Sequence, residues 1–378
     1  MPVSLDMVIF WAVVMARFLV PLTIPKYPLP GIIASLVLDA VDQTIFQTFT
    51  TLSLEGYQAY DKALDIYYLA ITYLSTLRNW SNLYAFKIGR FLFYYRLVGV
   101  ALFEITGLRY LLLIFPNTFE YFFIFYEIVR LKWNPKVLTK TKLINAVILI
   151  WIFVKLPHEY WIHIAKMDVT DWISANPLNI IFLLGWAAVL CFMGWWILRD
   201  LPPAHPGLSV AADYKDFPFY CPQAKKIKDN YTSKEFFDDF IHHELIEKIF
   251  LVSLLSLIFA QILPGVKAST FQVTLGTIFL VVINTEISQW FARRGNSWKS
   301  NIEEFTVMCL VNLGIVLIFD FIIVLYRGSI NVPDTLFFIL LLTLNVTLYD
   351  RFRRSYIWTH TLKMGLKKLR ALRKQEIP

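Results

Sequence analysis

Residues 178–198 read LNIIFLLGWAAVLCFMGWWIL, a stretch without a single charged side chain. As an α-helix rising 1.5 Å per residue it covers about 30 Å, the thickness of a bilayer's hydrocarbon core. It is apolar on every side, which suits a helix surrounded by lipid or by protein rather than one half-exposed to water. Moving outward in both directions, apolar stretches recur at 5–24, 31–50, 57–77, 83–115, 118–132, 142–156, 247–264, 270–290, 304–326 and 331–349. The expected fold is therefore all-α: a polytopic integral membrane helical bundle with about 11 transmembrane spans. The stretch 83–115 is too long for one straight crossing and is read as a tilted or interfacial start followed by a crossing. The stretches 118–132 and 142–156 are short for a crossing and imply either little tilt or a place against protein rather than lipid.

Composition agrees. The chain is 57% hydrophobic and 17% charged, against about 25% charged in soluble domains. The strict alternation of an outer-membrane barrel is missing. Three cysteines, Cys191, Cys221 and Cys309, lie far apart and form neither a disulfide framework nor a CxxC metal motif. The first apolar run has no basic segment before it, so it reads as a retained helix rather than a cleaved signal.

A formal net charge of +8 in such a chain marks cytoplasmic loops, not nucleic-acid binding. The basic segments are 131–142 (LKWNPKVLTKTK), 291–300 (FARRGNSWKS) and the tail from Arg351. With eleven spans all three fall on one side if the N-terminus is outside and the C-terminus cytoplasmic. The organisation read from this is a charge-rich seven-span module at 1–198, a cytoplasmic linker with a short amphipathic helix at 199–246, a four-span module at 247–350, and a basic cytoplasmic tail at 351–378. The expected partners are membrane lipids, with the tail drawn to the anionic inner leaflet. An oligomer or a larger membrane complex also fits. The expected location is a bacterial-type plasma (inner) membrane, multi-pass.

Ionisable residues at membrane depth cost roughly 2.5–3.5 kcal/mol each near a helix centre, so they mark functional sites by default. The first five spans hold Arg17, Asp39, Asp42, Asp61, Asp65, Lys87, Arg90, Arg96, Glu104, Arg109, Glu120, Glu127 and Arg130. In a helical hairpin, residues equally far from the turn share a height. That rule pairs Arg17 with Asp39, Asp42 with Asp65, Asp65 with Arg96, Glu104 with Arg130, and Arg109 with Glu127. It also sets Asn284 beside Asn312 in the second module. Asp42 and Asp65 are then two carboxylates at one height with Arg96 as their shared cation, an arrangement whose protonations are coupled. A proton- or ion-coupled carrier or channel would use Asp42 and Asp65 to bind, with Arg17, Asp39 and Arg96 around them.

Two other classes compete. The segment 155–172, KLPHEYWIHIAKMDVTDW, offers Glu159, His163 and Asp168 as acid, base or ligand for a membrane enzyme acting on a lipid-linked substrate at the outer face. Its histidines, His158 and His163, are five apart, not the four of a zinc-protease HExxH. The acidic pairs DAVD (39–42) and DKALD (61–65) lack the companion Asn, Gly or Asp that diphosphate-binding transferases need. No P-loop, GxSxG or Rossmann glycine pattern occurs. No cofactor and no metal is expected from spacing. The third class is a non-catalytic membrane subunit whose charges only fix packing.

Overall fold

The computed structural model describes residues 5–51, 57–161, 172, 176, 178–203, 210–212, 233–262, 270–292, 303–315, 317 and 336–353, with the backbone alone for 58, 233–244, 270–275 and 288–292. Among the described residues it is helical with no strand. The helices are α1 (Leu5–Leu19), α2 (Pro28–Phe49), α3 (Tyr57–Asn79), α4 (Leu83–Thr106), α5 (Tyr110–Ile114), α6 (Thr118–Lys132), α7 (Lys140–Leu149), α8 (Leu156–Glu159), α9 (Asn179–Leu198), α10 (Ser233–Ile262) and α11 (Thr270–Ala292). Helical residues 303–315 and 336–353 follow, as α12 and α13. Among the described residues, six helices are long and apolar enough to cross a membrane: Leu5–Thr23, Pro28–Phe49, Tyr110–Lys132, Lys140–Glu159, Asn179–Leu198 and Leu245–Ile262. The chain forms two compact units, Met1–Asp213 and Tyr214–Pro378.

In the first unit α3 is the hub, touching α1, α2, α4 and α6. From Ala63 to Leu77 every side chain is buried except Asp65. Tyr67, Ala70, Ile71, Tyr73 and Leu74 show no exposure. A helix enclosed on all sides can afford charges only where other helices meet them, and that is where the charges of α3 lie. α9 is the opposite case: Phe182, Leu184, Phe192, Trp195 and Trp196 are each more than half exposed, as expected of a helix whose surroundings are lipid tails.

Two breaks set the geometry. α4 ends at Gly107, which adopts φ +70° and donates its N–H to the Phe103 carbonyl (2.7 Å). Glycine takes this left-handed cap without penalty. The expected stretch 83–115 is therefore divided at Gly107, and Tyr110–Ile114 joins the following helix. The second break is at Pro116, between α5 and α6. Proline has no N–H and frees carbonyls in the turn before it. The Tyr95 hydroxyl donates to the Ile114 carbonyl (2.8 Å) and the Arg96 guanidinium to the Phe115 carbonyl (2.9 Å).

A second proline acts in the same way further on. Pro157 cannot donate to the carbonyl four residues back, Phe153. The chain takes a π-helical turn over Ile150–Lys155, and the Trp186 indole N–H of α9 donates to the Phe153 carbonyl instead (3.1 Å). The Pro-rich segment after α9 packs on the first unit where it is described. The Asn134 N–H donates to the Pro202 carbonyl (3.1 Å), Ala212 N–H to the Lys26 carbonyl (2.8 Å), and Arg130 to the Ala211 carbonyl (3.2 Å).

In the second unit, α10 is one helix of 30 residues. The expected amphipathic linker helix and the span after it are continuous. A polar seam ties the unit together. Lys248 meets Asp350 (2.7 Å) and donates to the Thr285 hydroxyl (2.8 Å), and Arg353 meets Glu247 (3.2 Å). The Asn284 amide donates to Asn312 (2.9 Å), whose amide donates to Thr343 (2.8 Å). Such amide and ion-pair links hold helices together where apolar contact alone discriminates poorly.

Candidate functional site

Arg17 lies at the last turn of α1 and is 4% exposed. Four carboxylates converge on it. Nη2 meets Asp39 and Asp65, each at 2.5 Å, and Nη1 meets Asp42 and Asp61. A guanidinium has four terminal N–H bonds, so each carboxylate can take one. The Tyr57 hydroxyl stands 3.1 Å from Nη1 and donates to Asp42.

The helices explain the convergence. Asp39 and Asp42 are three apart on α2, and Tyr57, Asp61 and Asp65 are four apart in succession on α3. These spacings put each set on one helical face. The Tyr67 hydroxyl donates to the Phe18 carbonyl (3.0 Å) and fixes α3 against the end of α1, next to Arg17.

The cluster has a closed side and an open side. The Asp42 side chain keeps 1% of its surface, whereas Asp39, Asp61 and Asp65 keep 33%, 19% and 42%. Those same three carboxylates each present an oxygen within 4.8 Å of the others. Several carboxylate oxygens facing one point is the donor chemistry that hard cations take. Four acids to one base leaves three negative charges in excess if every acid is ionised. Carboxylates this close do not all ionise unless protons or a cation are shared among them.

The site expected from the sequence thus comes together in part. Arg17, Asp39, Asp42 and Asp65 meet. Arg96 does not join them: the cation shared by Asp42 and Asp65 is Arg17, because Arg96 caps the carbonyl freed at the Pro116 break. Asp61 and Tyr57 complete the site, and the DKALD spacing was the signal for Asp61.

The charge pairs expected on α4–α6 are also replaced. Glu104 lies 3.3 Å from Lys62 of α3, not at Arg130. Glu127 takes Arg130 (2.6 Å) and the Trp80 indole N–H (2.8 Å), not Arg109. Arg109 is exposed beside the Gly107 turn. Both differences follow from that turn. It lies about ten residues before the expected one, and every height counted from it shifts by roughly 15 Å.

A second buried polar group lies on the first unit. The Tyr68 hydroxyl donates to Glu120 (2.5 Å), as does the Asn117 amide (2.7 Å). Glu159 accepts from the Asn117 N–H (3.4 Å) and stands 3.7 Å from the Lys155 ammonium, which also lies over the Tyr121 ring (4.5 Å). Glu120, Lys155 and Glu159 are 5%, 4% and 4% exposed. Glu159, the base considered for an outer-face enzyme, is thus turned inward onto protein. His163 and Asp168 lie outside the described residues.

The chain matches no protein-family model, no curated protein and no solved structure.

Proposed function

We propose that this is a multi-pass membrane transport protein, a proton- or ion-coupled carrier or channel, whose binding site is the Arg17 cluster. The observation that carries the reading is one guanidinium set among four carboxylates. A structural salt bridge needs one acid per base. Three further acids raise the cost of the ionised state in a low-dielectric interior, and that cost is relieved when protons or a cation enter. Arg17 is then the resident counter-charge, Asp42 and Tyr57 hold it in place, and Asp39, Asp61 and Asp65 exchange the ion on the open side.

The wider arrangement belongs to the same reading. Eleven helical passes would cross the membrane, counting α5–α6 and α7–α8 as one each. The N-terminus lies outside and the C-terminus inside a bacterial-type plasma membrane, with the basic tail on anionic lipid.

Purified full-length protein in phosphatidylcholine–phosphatidylglycerol vesicles tests this. An inward-negative potential set with potassium and valinomycin should acidify the lumen, read with trapped pyranine, or admit manganese, read by quenching of a trapped dye. Asp39→Asn and Asp65→Asn should abolish the uptake that is seen while eluting as folded protein. Wild-type uptake in both variants would sink the proposal.

A further inference from the structure

Lys62 follows the surplus acids most closely along the chain, yet its ammonium is turned to another partner. It lies on α3 between Asp61 and Asp65. Three positions before Asp65, it is a helical neighbour of that carboxylate, with Cβ atoms about 5–6 Å apart. Four acids around one base would be better balanced with Lys62 turned towards them. Instead the ammonium meets Glu104 of α4 (3.3 Å) and lies over the Phe103 ring (5.6 Å).

The packing of α3 on α4 makes that second partner available. Tyr73 stacks on Phe93, with ring centroids 4.3 Å apart. Lys62 comes eleven residues before Tyr73, and Glu104 eleven residues after Phe93. That interval is close to three helical turns, so both residues stay on the faces that meet. Glu104 also lies in the last turn of α4, which ends at Thr106. A carboxylate there opposes the helix dipole, and the Lys62 ammonium offsets it.

One ammonium thus has two positions within reach. The Lys62 side chain keeps 50% of its surface, and its four-carbon stem is flexible. Exposed side chains of this kind change rotamer within about nanoseconds. A solvent-exposed ion pair contributes only about 0–1 kcal/mol, so Glu104 holds the ammonium lightly. The other position is beside Asp65, the most open acid of the cluster at 42% exposure. An ammonium there would take the place of an incoming ion.

We infer that Glu104 and Lys62 gate the Arg17 site: Glu104, helped by the Phe103 ring, draws the Lys62 ammonium away from Asp65 and keeps the open side accessible to the transported ion. This rests on the transport reading above and adds the regulation of the same site. Lys62 is a tethered competitor of the ion, and Glu104 is a positioning residue that acts through it. A pair that only neutralises Glu104 would behave otherwise. Removing that acid would then leave uptake unchanged, whereas in a gate it releases Lys62 onto Asp65.

The same vesicles test the gate, with pyranine for protons and the trapped dye for manganese, using the ion that wild-type protein admits. If Lys62 covers Asp65 about nine-tenths of the time in Glu104→Gln, the half-saturating ion concentration rises about tenfold, or about one pH unit for protons. Saturating ion displaces the ammonium, so the maximal rate should hold. Adding Lys62→Met, which keeps the stem and removes the charge, should return half-saturation to the wild-type value. Phe103→Leu should shift it in the same direction by a smaller factor, and it decides alone if Glu104→Gln fails to fold. Unchanged half-saturation, or a rise that Lys62→Met leaves in place, would overturn the gate. Abolished uptake in Asp65→Asn would then still support the transport reading. Wild-type uptake in Asp65→Asn, or no uptake of either ion by wild-type protein, would remove the transport reading and the gate with it.

Discussion

Arg17 meets as many carboxylates as it has terminal N–H bonds, and its own surroundings make it irreplaceable by a point charge. Arg17→Gln leaves four acids facing one another. Breaking a buried charge network in this way costs about 3–5 kcal/mol. The variant should therefore unfold at a clearly lower temperature in detergent at neutral pH, followed by tryptophan fluorescence. Arg17→Lys keeps the charge but offers three donors on a flexible stem, so its loss should be smaller. Acidification neutralises the acids and removes the repulsion, so the gap between Arg17→Gln and wild type should close as pH falls. A gap that stays constant with pH would mean that the acids do not depend on the guanidinium.

At the scale of elements, three interruptions by proline or glycine decide where side chains point. The chain 83–132 carries the clearest test. Phe115 is packed against Gly99 of α4, where an added Cβ would stand 2.1 Å from the Phe115 Cβ. Gly99→Ala must push the α5–α6 break away from α4 and should cost about 1–3 kcal/mol. Combining it with Phe115→Gly, which removes the Cβ as well as the ring, should cost less than the two single changes added together, because the clash is gone. Additive losses would show that the two helices do not meet there. Trp186→Phe is the second test. It removes the donor to the Phe153 carbonyl and should cost about 1–3 kcal/mol, read from the same unfolding curves. An unchanged midpoint would mean that the carbonyl freed by Pro157 needs no partner.

These interruptions also mark what could be read from the sequence. The helical class followed from apolar length, and the meeting of Arg17 with Asp39 followed from counting back from a short turn at residues 25–30. The Asp61–Asp65 part of the α3 stripe was legible in the DKALD spacing, whereas Tyr57, one turn before it, carried no charge to mark it. Arg96 was misplaced because its competing partner is a backbone carbonyl, and carbonyls freed by proline leave no mark on side-chain spacing. Glu104 and Glu127 were misplaced because Gly107, not the Pro116–Asn117 pair, makes the turn. A lone glycine in an apolar run does not announce whether it caps a helix or packs within one.

For the whole molecule, the count of crossings remains the sharpest question, and charge explains why two counts differ. α3 and α4 run 23 and 24 residues, about 35 Å of helix each, yet they fall outside the six apolar helices. Asp61, Lys62, Asp65 and Arg78 on α3, and Lys87, Arg90, Arg96 and Glu104 on α4, raise their polarity. Partners within the first unit meet most of these charges, among them Arg17 for the acids, the Pro25 carbonyl for Arg78 (2.6 Å) and Lys62 for Glu104. A charge satisfied inside the bundle does not bar a helix from the bilayer. Eleven passes put the two termini on opposite faces, and six would put them on the same face. Short epitope tags at either end, probed with antibody on sealed and on opened right-side-out vesicles, separate the two. The N-terminal tag should react in sealed vesicles and the C-terminal tag only after opening. Equal reactivity of both tags in sealed vesicles would mean that an even number of helices crosses. In that case one of the helices counted as a crossing lies along the surface, and its charges face water instead of the Arg17 site.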